Sequence, residues 1–337
     1  MLKVAHIITK SEIGGAQTWV KDQISLLDKD FEHFLVTNKP GWLSERVSVQ
    51  QTLFVPGIEK KFCLKTLFKL VHFVRSNRID ILIASSANAG VYARLLKLFT
   101  GCRVIYVSHG WSCIYNGGSL KKLFITVEKL LSYLSDSILC VSEKDRQDAI
   151  DIIGIRDNKL AYIRNSVFPR NIVRKEESEI FRILFLGRLA KPKRPDILIE
   201  AIENLADVQL DIVGDGPLKR DCKQTQNVNF VGAVSDFDDF GRYDLFALVS
   251  DSEGLPMSAL EAASAGVPLL LSNVGGCSEL INGNGVLVDN YPDDIATKLQ
   301  LLKSNYKTVK GQALHCSTEF DIRNYRDSYI RIYTGRH

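Results

Sequence analysis

The chain has 337 residues and a formal net charge of +4, with 45% hydrophobic and 24% charged residues. This is the composition of a globular protein, and it excludes a disordered chain, a collagen and a coiled coil. The length exceeds what one hydrophobic core usually serves, so we expect two domains. No uncharged stretch predicts a transmembrane helix. The N-terminus has no signal-peptide pattern and the seven cysteines form no Cys-x-x-Cys, which favours the cytoplasm.

Short apolar runs alternate with longer amphipathic runs along the chain. The first half predicts strands at Val4–Thr9, His33–Thr37, Leu53–Pro56, Ile81–Ser85, Val104–Ser108 and Ile138–Ser142. The second half predicts strands at Ile183–Gly187, Val208–Val213, Val228–Val231, Leu245–Val249, Pro268–Ser272 and Gly285–Asp289. Helix-like stretches lie between them, at Ala16–Leu27, Thr66–Ser76, Leu123–Leu134, Asp196–Leu205 and Met257–Ala265. This alternation is typical of an α/β protein with doubly wound parallel sheets.

The alternation pauses once, in a charged stretch that contains Pro169 and has no apolar periodicity. We interpret this stretch as a linker between two Rossmann-like domains. A final helix-like run, with apolar and aromatic residues at spacings of three and four, follows the second domain. The predicted organisation is a first domain over 1–167, a linker over 168–180, a second domain over 181–318 and a C-terminal helix over 319–337.

The charge is distributed unevenly, because residues 1–170 contain 24 Lys and Arg against 15 Asp and Glu. Nucleic acid and an anionic membrane surface are both possible partners of such a half. Two amphipathic stretches carry many of these cations, and for each helix alone a core face with a solvated basic face is the alternative. The cations are Lys60, Lys61, Lys65, Lys69, Arg75 and Arg78 on the first stretch, and Lys121, Lys122 and Lys129 on the second.

Ligands of doubly wound sheets bind beyond the carboxyl ends of the strands, so residues that directly follow strands are candidates for a site. Gly14 and Gly15 follow the first strand, where they let the backbone approach a phosphate at a helix start. A tight turn with positive φ is the alternative for this pair. His109 follows the fifth strand and could contact a sugar hydroxyl or move a proton. A purely structural histidine is the alternative there.

In the second half of the chain, two cations and two carboxylates also lie in segments that follow predicted strands. Arg188 and Lys193 follow its first strand and suit a diphosphate, with a solvated basic loop as the alternative. Glu253 lies in a Gly/Pro loop, and Pro256 suits the first turn of the helix that follows. Glu261 then falls within that helix among apolar neighbours, which predicts a buried, partnered carboxylate able to accept two ribose hydroxyls.

Seven motifs lie along the chain in a fixed order. They are Gly14-Gly15, His109-Gly110, Gly187-Arg188 with Lys193, Gly214-Asp215-Gly216-Pro217, Phe230-Val231-Gly232, the two glutamates, and Gly275-Gly276 before Glu279. In this order and spacing, they resemble the motifs of the retaining glycosyltransferases of the GT-B fold, in the family of group 1 or family 4 transferases that build bacterial cell-surface polysaccharides. The resemblance covers nearly the whole chain. One departure is Arg164-Asn165-Ser166-Val167, where the family usually has Asn-Gly.

The resemblance implies two Rossmann-like domains facing a cleft, a C-terminal helix that returns to the first domain, and a role for each motif. Gly14, Gly15, Arg188 and Lys193 would hold the diphosphate, Glu261 the ribose, and Glu253 and His109 the transferred sugar. Gly232 and Val234 would border the base, and Gly254, Leu255 and Pro256 would complete the nucleotide-sugar site. The implied catalytic residues are Glu253, His109, Arg188 and Lys193.

We therefore predict a retaining hexosyl- or N-acetylhexosaminyltransferase. It would use a nucleotide-sugar, most simply a UDP-sugar, and a glycan or lipid-linked acceptor of O-antigen, capsule or lipopolysaccharide synthesis. We interpret Asp236 and Asp238 as capping and surface charge, so no metal or other cofactor is expected. With lipid-linked acceptors, the basic helices favour a peripheral position on the cytoplasmic face of the inner membrane.

Two alternatives stay open. A UDP-sugar 2-epimerase of the same fold would need further acid and base carboxylates, which the sequence does not single out. A nucleic-acid-binding protein would need exposed aromatic residues interleaved with the cations, whereas the aromatic residues here recur at helical core spacings. No nucleic-acid partner is therefore expected.

Overall fold

The computed structural model describes residues 1–115, 118–172 and 179–336. The chain divides into two compact units, the first formed by Met1–Arg164 with Arg323–His337 and the second by Asn165–Ile322. Residues 173–178 of the predicted linker lie outside the described residues.

Each unit is built on one parallel sheet. The first sheet has seven strands in the order β3-β2-β1-β4-β5-β6-β7, and the second has six in the order β10-β9-β8-β11-β12-β13. In chain order the strands are β1 Leu2–Ile7, β2 Phe31–Thr37, β3 Gln51–Phe54, β4 Ile81–Ala84, β5 Arg103–Ser108, β6 Ser137–Cys140, β7 Leu160–Tyr162, β8 Phe181–Leu186, β9 Val208–Val213, β10 Val228–Gly232, β11 Leu245–Leu248, β12 Leu269–Ser272 and β13 Gly285–Val288. Every predicted strand is present. Within the described ranges, the strand that the sequence missed is β7, because its three residues, none of them fully buried, form too short an apolar run to stand out.

The connections between strands are mainly helical, as expected for parallel neighbours. In chain order the α-helices are α1 Gly15–Leu26, α2 Trp42–Arg46, α3 Leu64–Asn77, α4 Ala87–Thr100, α5 Ser112–Tyr115, α6 Lys121–Ser132, α7 Glu143–Asp148, α8 Pro195–Ile202, α9 Met257–Ser264, α10 Pro292–Ser304, α11 Tyr306–Cys316 and α12 Arg326–Thr334.

The core of the first unit lies between its sheet and helices such as α3. Strand β4 is buried at all four positions, because helices cover both faces of a parallel sheet. Helix α3 inserts Leu67, Leu70 and Val74 into this core, and the burial of each such side chain contributes about 1.5–3 kcal/mol. For α3, the predicted core face is confirmed. On its other side, Leu64 and Phe68 are exposed.

Helix α6 is oriented in the opposite sense, with a carboxylate inside and apolar side chains outside. The buried Glu128 of α6 accepts a 2.7 Å hydrogen bond from Nη1 of Arg94, whose guanidinium lies 4.2 Å from the ring centroid of Tyr106. The alternative of an apolar core face therefore fails for most of α6, because an ion pair takes the inward position beside the partly buried Ile125, which packs against the core. The exposed apolar residues are Leu123, Phe124, Val127 and Leu130. In the described ranges, no helix has the length and apolar character needed to cross a membrane.

The C-terminal helix α12 packs within the first unit, as the resemblance implied. Tyr333 is buried and donates a 3.0 Å hydrogen bond to the side chain of Gln23 on α1. Arg326 donates hydrogen bonds of 2.7 Å to both carboxylate oxygens of Asp30. These contacts attach the last residues of the chain to the unit that contains its beginning.

Candidate functional site

The first unit presents the predicted glycine pair at the carboxyl end of β1. Gly15 is the first residue of α1, and Gly14 precedes it with an extended φ of 178°. The alternative of a positive-φ turn is therefore wrong for Gly14. Gln17 donates a 2.9 Å hydrogen bond to the carbonyl oxygen of Lys10, which holds the loop before the helix. The start of α1 thus directs backbone N–H groups beyond the strand edge.

His109 follows β5 at the same edge of the sheet. Its ring packs edge-on against Trp19, with a centroid distance of 5.3 Å. Among the residues that the structure describes, its Nε2 is buried and has no hydrogen-bond partner. Burial lowers the pKa of His109 to about 4, so the imidazole is neutral near pH 7. A neutral imidazole offers one donor and one acceptor nitrogen to a ligand.

The loop that carries His109 is fixed by Asp145 near the start of α7. The Gly110 N–H donates a 3.1 Å hydrogen bond to the Asp145 carboxylate, and the Trp111 indole donates one of 2.8 Å to the Asp145 carbonyl. Gly110 has a φ of +101°, which favours glycine. The sequence analysis did not single out Asp145, because an aspartate in the first turn of a helix has the pattern of an ordinary capping residue.

In the second unit, the loops after β8, β9 and β10 meet closely. The Gly214 N–H donates a 2.8 Å hydrogen bond to the Gly232 carbonyl, and the Gly187 N–H donates one of 3.0 Å to the Val213 carbonyl. A Cβ at Gly214 would lie 1.9 Å from the Gly187 carbonyl oxygen, so a larger residue there would displace the backbone. This packing fixes the strand end that is followed by Arg188, whose side chain is exposed.

The structure brings together two of the predicted residues, Lys193 and Glu253. The Lys193 backbone pairs with Ser250 directly after β11, and its ammonium group contacts the Glu253 carboxylate. The side chains of Lys193 and Glu253 are 17% and 11% exposed, so the pair is largely shielded from water. Gly275 lies against the same loop, because a Cβ there would be 1.7 Å from the Glu253 carbonyl oxygen.

Glu261 lies within α9, as predicted, and is partnered there. Its carboxylate accepts a 2.5 Å hydrogen bond from Nη2 of Arg170, whose Nη1 lies 3.2 Å from the Asp238 carboxylate. Arg170 thus links Glu261, the predicted ribose ligand, to Asp238. Within the described part of the chain, no group of three or more His, Cys, Asp or Glu residues is arranged to hold a metal ion.

The remaining residues predicted to bind the nucleotide-sugar differ in how far their side chains are exposed. Gly232 has a φ of +87° and open space around its Cα, and the nearby Val234 is 40% exposed. Leu255 and Pro256 are buried, so their contribution is to fix the course of the loop between Gly254 and α9.

Sequence reasoning missed Asn165, which supports that loop from a distant part of the chain. The buried Asn165 amide donates a 3.2 Å hydrogen bond to the Leu255 carbonyl and lies 3.0 Å from the sulfur of Met257. It belongs to the Arg164–Val167 segment, where the chain departs from the family pattern. This departure from the family pattern was the feature of the sequence that could have pointed to Asn165. Arg170 gave no signal, since a lone arginine beside a proline is common in linkers.

Comparison with known proteins identifies the family. The model of glycosyltransferase family 4 matches residues 13–170, and that of the group 1 glycosyl transferases matches residues 180–305. The chain is 48% identical over 339 aligned residues to the O-antigen biosynthesis glycosyltransferase WbnH of Escherichia coli, and the alignment covers 99% of this chain and 100% of WbnH. This chain belongs to glycosyltransferase family 4. The predicted glycosyltransferase activity is therefore confirmed, in place of the epimerase and the nucleic-acid-binding protein.

Two further relatives extend the comparison across this family and fold. A UDP-Gal:alpha-D-GlcNAc-diphosphoundecaprenol alpha-1,3-galactosyltransferase of Escherichia coli is 26% identical, with 90% of this chain and 86% of that protein covered. The crystal structure of Anabaena Alr3699/HepE in complex with UDP and glucose superposes with a TM-score of 0.82 at 18% identity, with both chains fully covered. This structural likeness confirms the predicted GT-B fold for this family 4 member.

Proposed function

We propose that this glycosyltransferase transfers a hexosyl or N-acetylhexosaminyl residue from a UDP-sugar to a lipid-linked glycan during O-antigen assembly, with retention of the anomeric configuration. The observation that carries the proposal is the 48% identity over the full length of WbnH, an O-antigen biosynthesis glycosyltransferase. A lipid diphosphate acceptor and a UDP-sugar donor both appear in the name of the galactosyltransferase relative. The structural relative bound to UDP and glucose supports the same class of donor.

The geometry of the second unit supports its role as the donor site. Arg188 offers an exposed guanidinium at a strand end, and Lys193 lies in the loop that follows it, so both cations suit the diphosphate. Glu253, held by Lys193, suits the transferred sugar, and Glu261, held by Arg170, suits the ribose. Gly232 and Val234 would border the base.

In the first unit, Gly14, Gly15 and His109 are the residues that we propose contact substrate. The helix start at Gly15 suits a phosphate. The neutral imidazole of His109 suits a sugar hydroxyl, because one ring nitrogen accepts a hydrogen bond while the other donates one.

Catalysis would depend mainly on stabilising the leaving UDP. As the bond between the anomeric carbon and the phosphate oxygen breaks, an acceptor hydroxyl attacks from the same face and passes its proton to the departing phosphate. Negative charge grows on the leaving diphosphate during this step. Arg188, which follows β8, and Lys193, in the loop beyond it, would stabilise this charge, which is the usual dominant contribution to such catalysis. We propose that these cations act without a metal ion.

Helix α6 supports a peripheral position on the cytoplasmic face of the inner membrane. Its exposed apolar face includes Leu123, Phe124 and Leu130, and Lys121 and Lys122 lie exposed beside it. Apolar side chains insert at the level of the lipid headgroups while nearby lysines attract anionic lipid, at about 1 kcal/mol per cation. An enzyme acting on a lipid-linked glycan needs such access to the membrane surface.

The decisive experiment measures donor class and product configuration together. UDP-, GDP- and ADP-sugars are compared for their effect on thermal stability, and the product made on a diphospho-lipid glycan is analysed for its anomeric configuration by NMR. We expect stabilisation by UDP-sugars and an α-linked product from an α-linked donor. Stabilisation by GDP- or ADP-sugars alone would contradict the proposed donor, and a β-linked product would contradict retention.

A further inference from the structure

A surface cavity of about 600 Å³ lies at the carboxyl end of β3, between the following loop and the start of α3. The same edge of the sheet carries Gly14 and His109, since all strands of the first unit are parallel. The walls include Val55, Gly57 and Thr66. The cavity also has four lysines, which give it the name used below, the four-lysine cavity: Lys60, Lys61, Lys65 and Lys69.

Across the ranges that the structure describes, no ion pair neutralises the lysines of this cavity. All four lysines are exposed, and within the described residues none of them has a carboxylate within 4.0 Å. Lys69 donates a 3.2 Å hydrogen bond to the Phe54 carbonyl, which holds its ammonium group at the strand end. The nearest acid along the chain, Glu59, accepts a 2.9 Å hydrogen bond from Asn38. Four cations around one cavity therefore lack an anion.

Lys60 and Lys61 lie in the loop before α3, which contacts to α4 hold in place, and Lys65 and Lys69 lie on α3 itself. Asn88 donates a 3.3 Å hydrogen bond to the Lys60 carbonyl, and the Cys63 N–H donates one of 3.0 Å to the hydroxyl of Tyr92. The ring of Phe62 stacks on that of Tyr92 at a centroid distance of 5.3 Å. The cations are thus presented on a preorganised loop and on the first two turns of α3, which lowers the entropic cost of binding an anion.

Apolar side chains lie exposed beside the cavity. Phe62, Leu64 and Phe68 are 49%, 61% and 59% exposed, and the ring of Phe68 lies 6.5 Å from that of Phe99 on α4. A soluble anion would leave these apolar side chains exposed to water, whereas the hydrocarbon chain of a lipid-linked anion would cover them. The combination of cations and adjacent apolar surface is complementary to a phosphorylated lipid.

We propose that the four-lysine cavity binds the diphosphate of the lipid-linked acceptor, with the first part of the lipid chain lying on Phe62, Leu64 and Phe68. The inference rests on the acceptor class proposed above. Four cations and a cavity of about 600 Å³ suit two adjacent phosphates better than the single phosphate of a common phospholipid headgroup. Its position at the strand edge would leave the glycan free to extend toward His109.

Alkylation of Cys63 can report whether the cavity is occupied. Cys63 lines the cavity and is exposed, while the other six cysteines are buried. Backbone N–H groups of Thr66 and Lys65 lower the pKa of the Cys63 thiol. The thiolate fraction, and hence the rate of alkylation, is therefore raised at this position. A ligand in the cavity would cover Cys63 and slow the reaction in proportion to its occupancy.

The test measures alkylation of Cys63 by iodoacetamide in the full chain, with UDP at saturation to fill the donor site. The probe is farnesyl diphosphate, with farnesol and inorganic pyrophosphate as comparisons. We expect farnesyl diphosphate to protect Cys63, farnesol to leave it reactive, and pyrophosphate to protect it only at higher concentration. K60Q/K65Q should raise the half-protecting concentration of farnesyl diphosphate about tenfold or more, because two charge-assisted contacts are lost.

K29Q/K144Q is the matched control, since it removes two exposed lysines of the same unit that lie outside the cavity and outside α6. It should leave the half-protecting concentration unchanged. An equal loss in both double variants would show a general attraction of lipid to the basic surface and overturn the inference. Protection by pyrophosphate as strong as by farnesyl diphosphate would assign the cavity to a soluble diphosphate and overturn the lipid ligand.

The failure of this inference can be separated from that of the proposed function. The protein could be stabilised by UDP and glycosylate a diphospho-lipid acceptor while farnesyl diphosphate fails to protect Cys63. That result would contradict the role of the cavity and leave the proposed function intact. Equal use of a glycan with and without the diphospho-lipid contradicts the proposed acceptor class. In an active enzyme, K60Q/K65Q should raise the KM for the lipid-linked acceptor and leave the KM for the donor unchanged.

Discussion

Arg170 donates a 2.5 Å hydrogen bond to Glu261, so the proposed ribose ligand is held by a residue that lies 91 positions earlier in the chain. The side chain of Glu261 is 14% exposed, and a carboxylate so shielded from water needs a charged partner. Arg170 supplies that partner and fixes the orientation of the carboxylate. We therefore regard Arg170 as a positioning residue for nucleotide binding.

A double-mutant cycle tests this relationship. Glu261→Ala should weaken UDP binding by about 1.5–3 kcal/mol, because the ribose loses a charged acceptor. Arg170→Ala should weaken binding by less, and the two effects should be non-additive by about 0.5–3 kcal/mol, as for residues in direct contact. Calorimetric titration with UDP measures all four proteins. Arg242→Ala is the control, since this exposed arginine of the same unit pairs with Asp239. Additive effects would remove Arg170 from the donor site.

The exposed guanidinium of Arg188 should contribute more to turnover than to donor binding. Charge on the diphosphate grows toward the transition state, so Arg188→Ala should lower kcat by roughly two to three orders of magnitude, as for loss of one preorganised oxyanion donor. Lys193→Ala should act similarly, and the double variant should show less than the sum of the two effects. Steady-state kinetics and donor titration separate the two quantities. An unchanged kcat with a raised donor KM would mean that Arg188 binds the intact donor and the transition state equally, and so does not contribute to the chemical step.

Helix α6 shows why part of the molecule was predictable and part was not. The buried parallel strands were predictable, because both faces of such a strand are covered and the apolar run is continuous. The apolar stripe of α6 predicts an amphipathic helix equally well whether it faces the core or the solvent. The pairing of Arg94 with Glu128 decides between these orientations, and no local pattern links two residues that are 34 positions apart. The same limit concealed Arg170, which lies 91 positions before Glu261.

Replacing exposed apolar residues of α6 should reduce membrane association without unfolding the protein. We expect Phe124→Ser with Leu130→Ser to lower co-sedimentation with vesicles that contain phosphatidylglycerol. The free energy of unfolding should change by no more than about 0.5 kcal/mol per surface substitution. Leu301→Ser is a matched control, because this leucine of the second unit is 52% exposed. Salt should release the wild-type protein in part. Equal sedimentation of the double variant and the wild type would contradict the role of α6.

Activity should persist in excess EDTA, since Arg188 and Lys193 are proposed to supply the positive charge for the leaving diphosphate. The measurement is the initial rate of sugar transfer before and after chelation, with Mn²⁺ and Mg²⁺ restored in parallel. Complete loss with EDTA and recovery with either ion would instead favour a metal role for Asp236 and Asp238. The Asp236→Asn and Asp238→Asn variants would then lose the metal response.

His109 should make the stability of the first unit depend on pH below neutrality. Burial lowers its pKa in the folded protein to about 4, against an ordinary value of 6.5 when unfolded. Between these values the unfolded chain binds more protons, so the free energy of unfolding falls as the pH is lowered through this window. His109→Gln removes this contribution, and the difference between the two proteins should therefore change between pH 6.5 and 4.5 and stay constant from pH 7 to 9.

Urea unfolding followed by tryptophan fluorescence measures this difference, because Trp19, Trp42 and Trp111 all lie in the first unit. Burial also lowers the pKa values of His6 and His33, but both histidines are present in the two proteins and their contributions cancel. A difference that stays constant across the whole range would mean that His109 titrates alike in the folded and unfolded states. The imidazole would then be solvated, and its proposed place as a neutral contact for the transferred sugar would lose its physical basis.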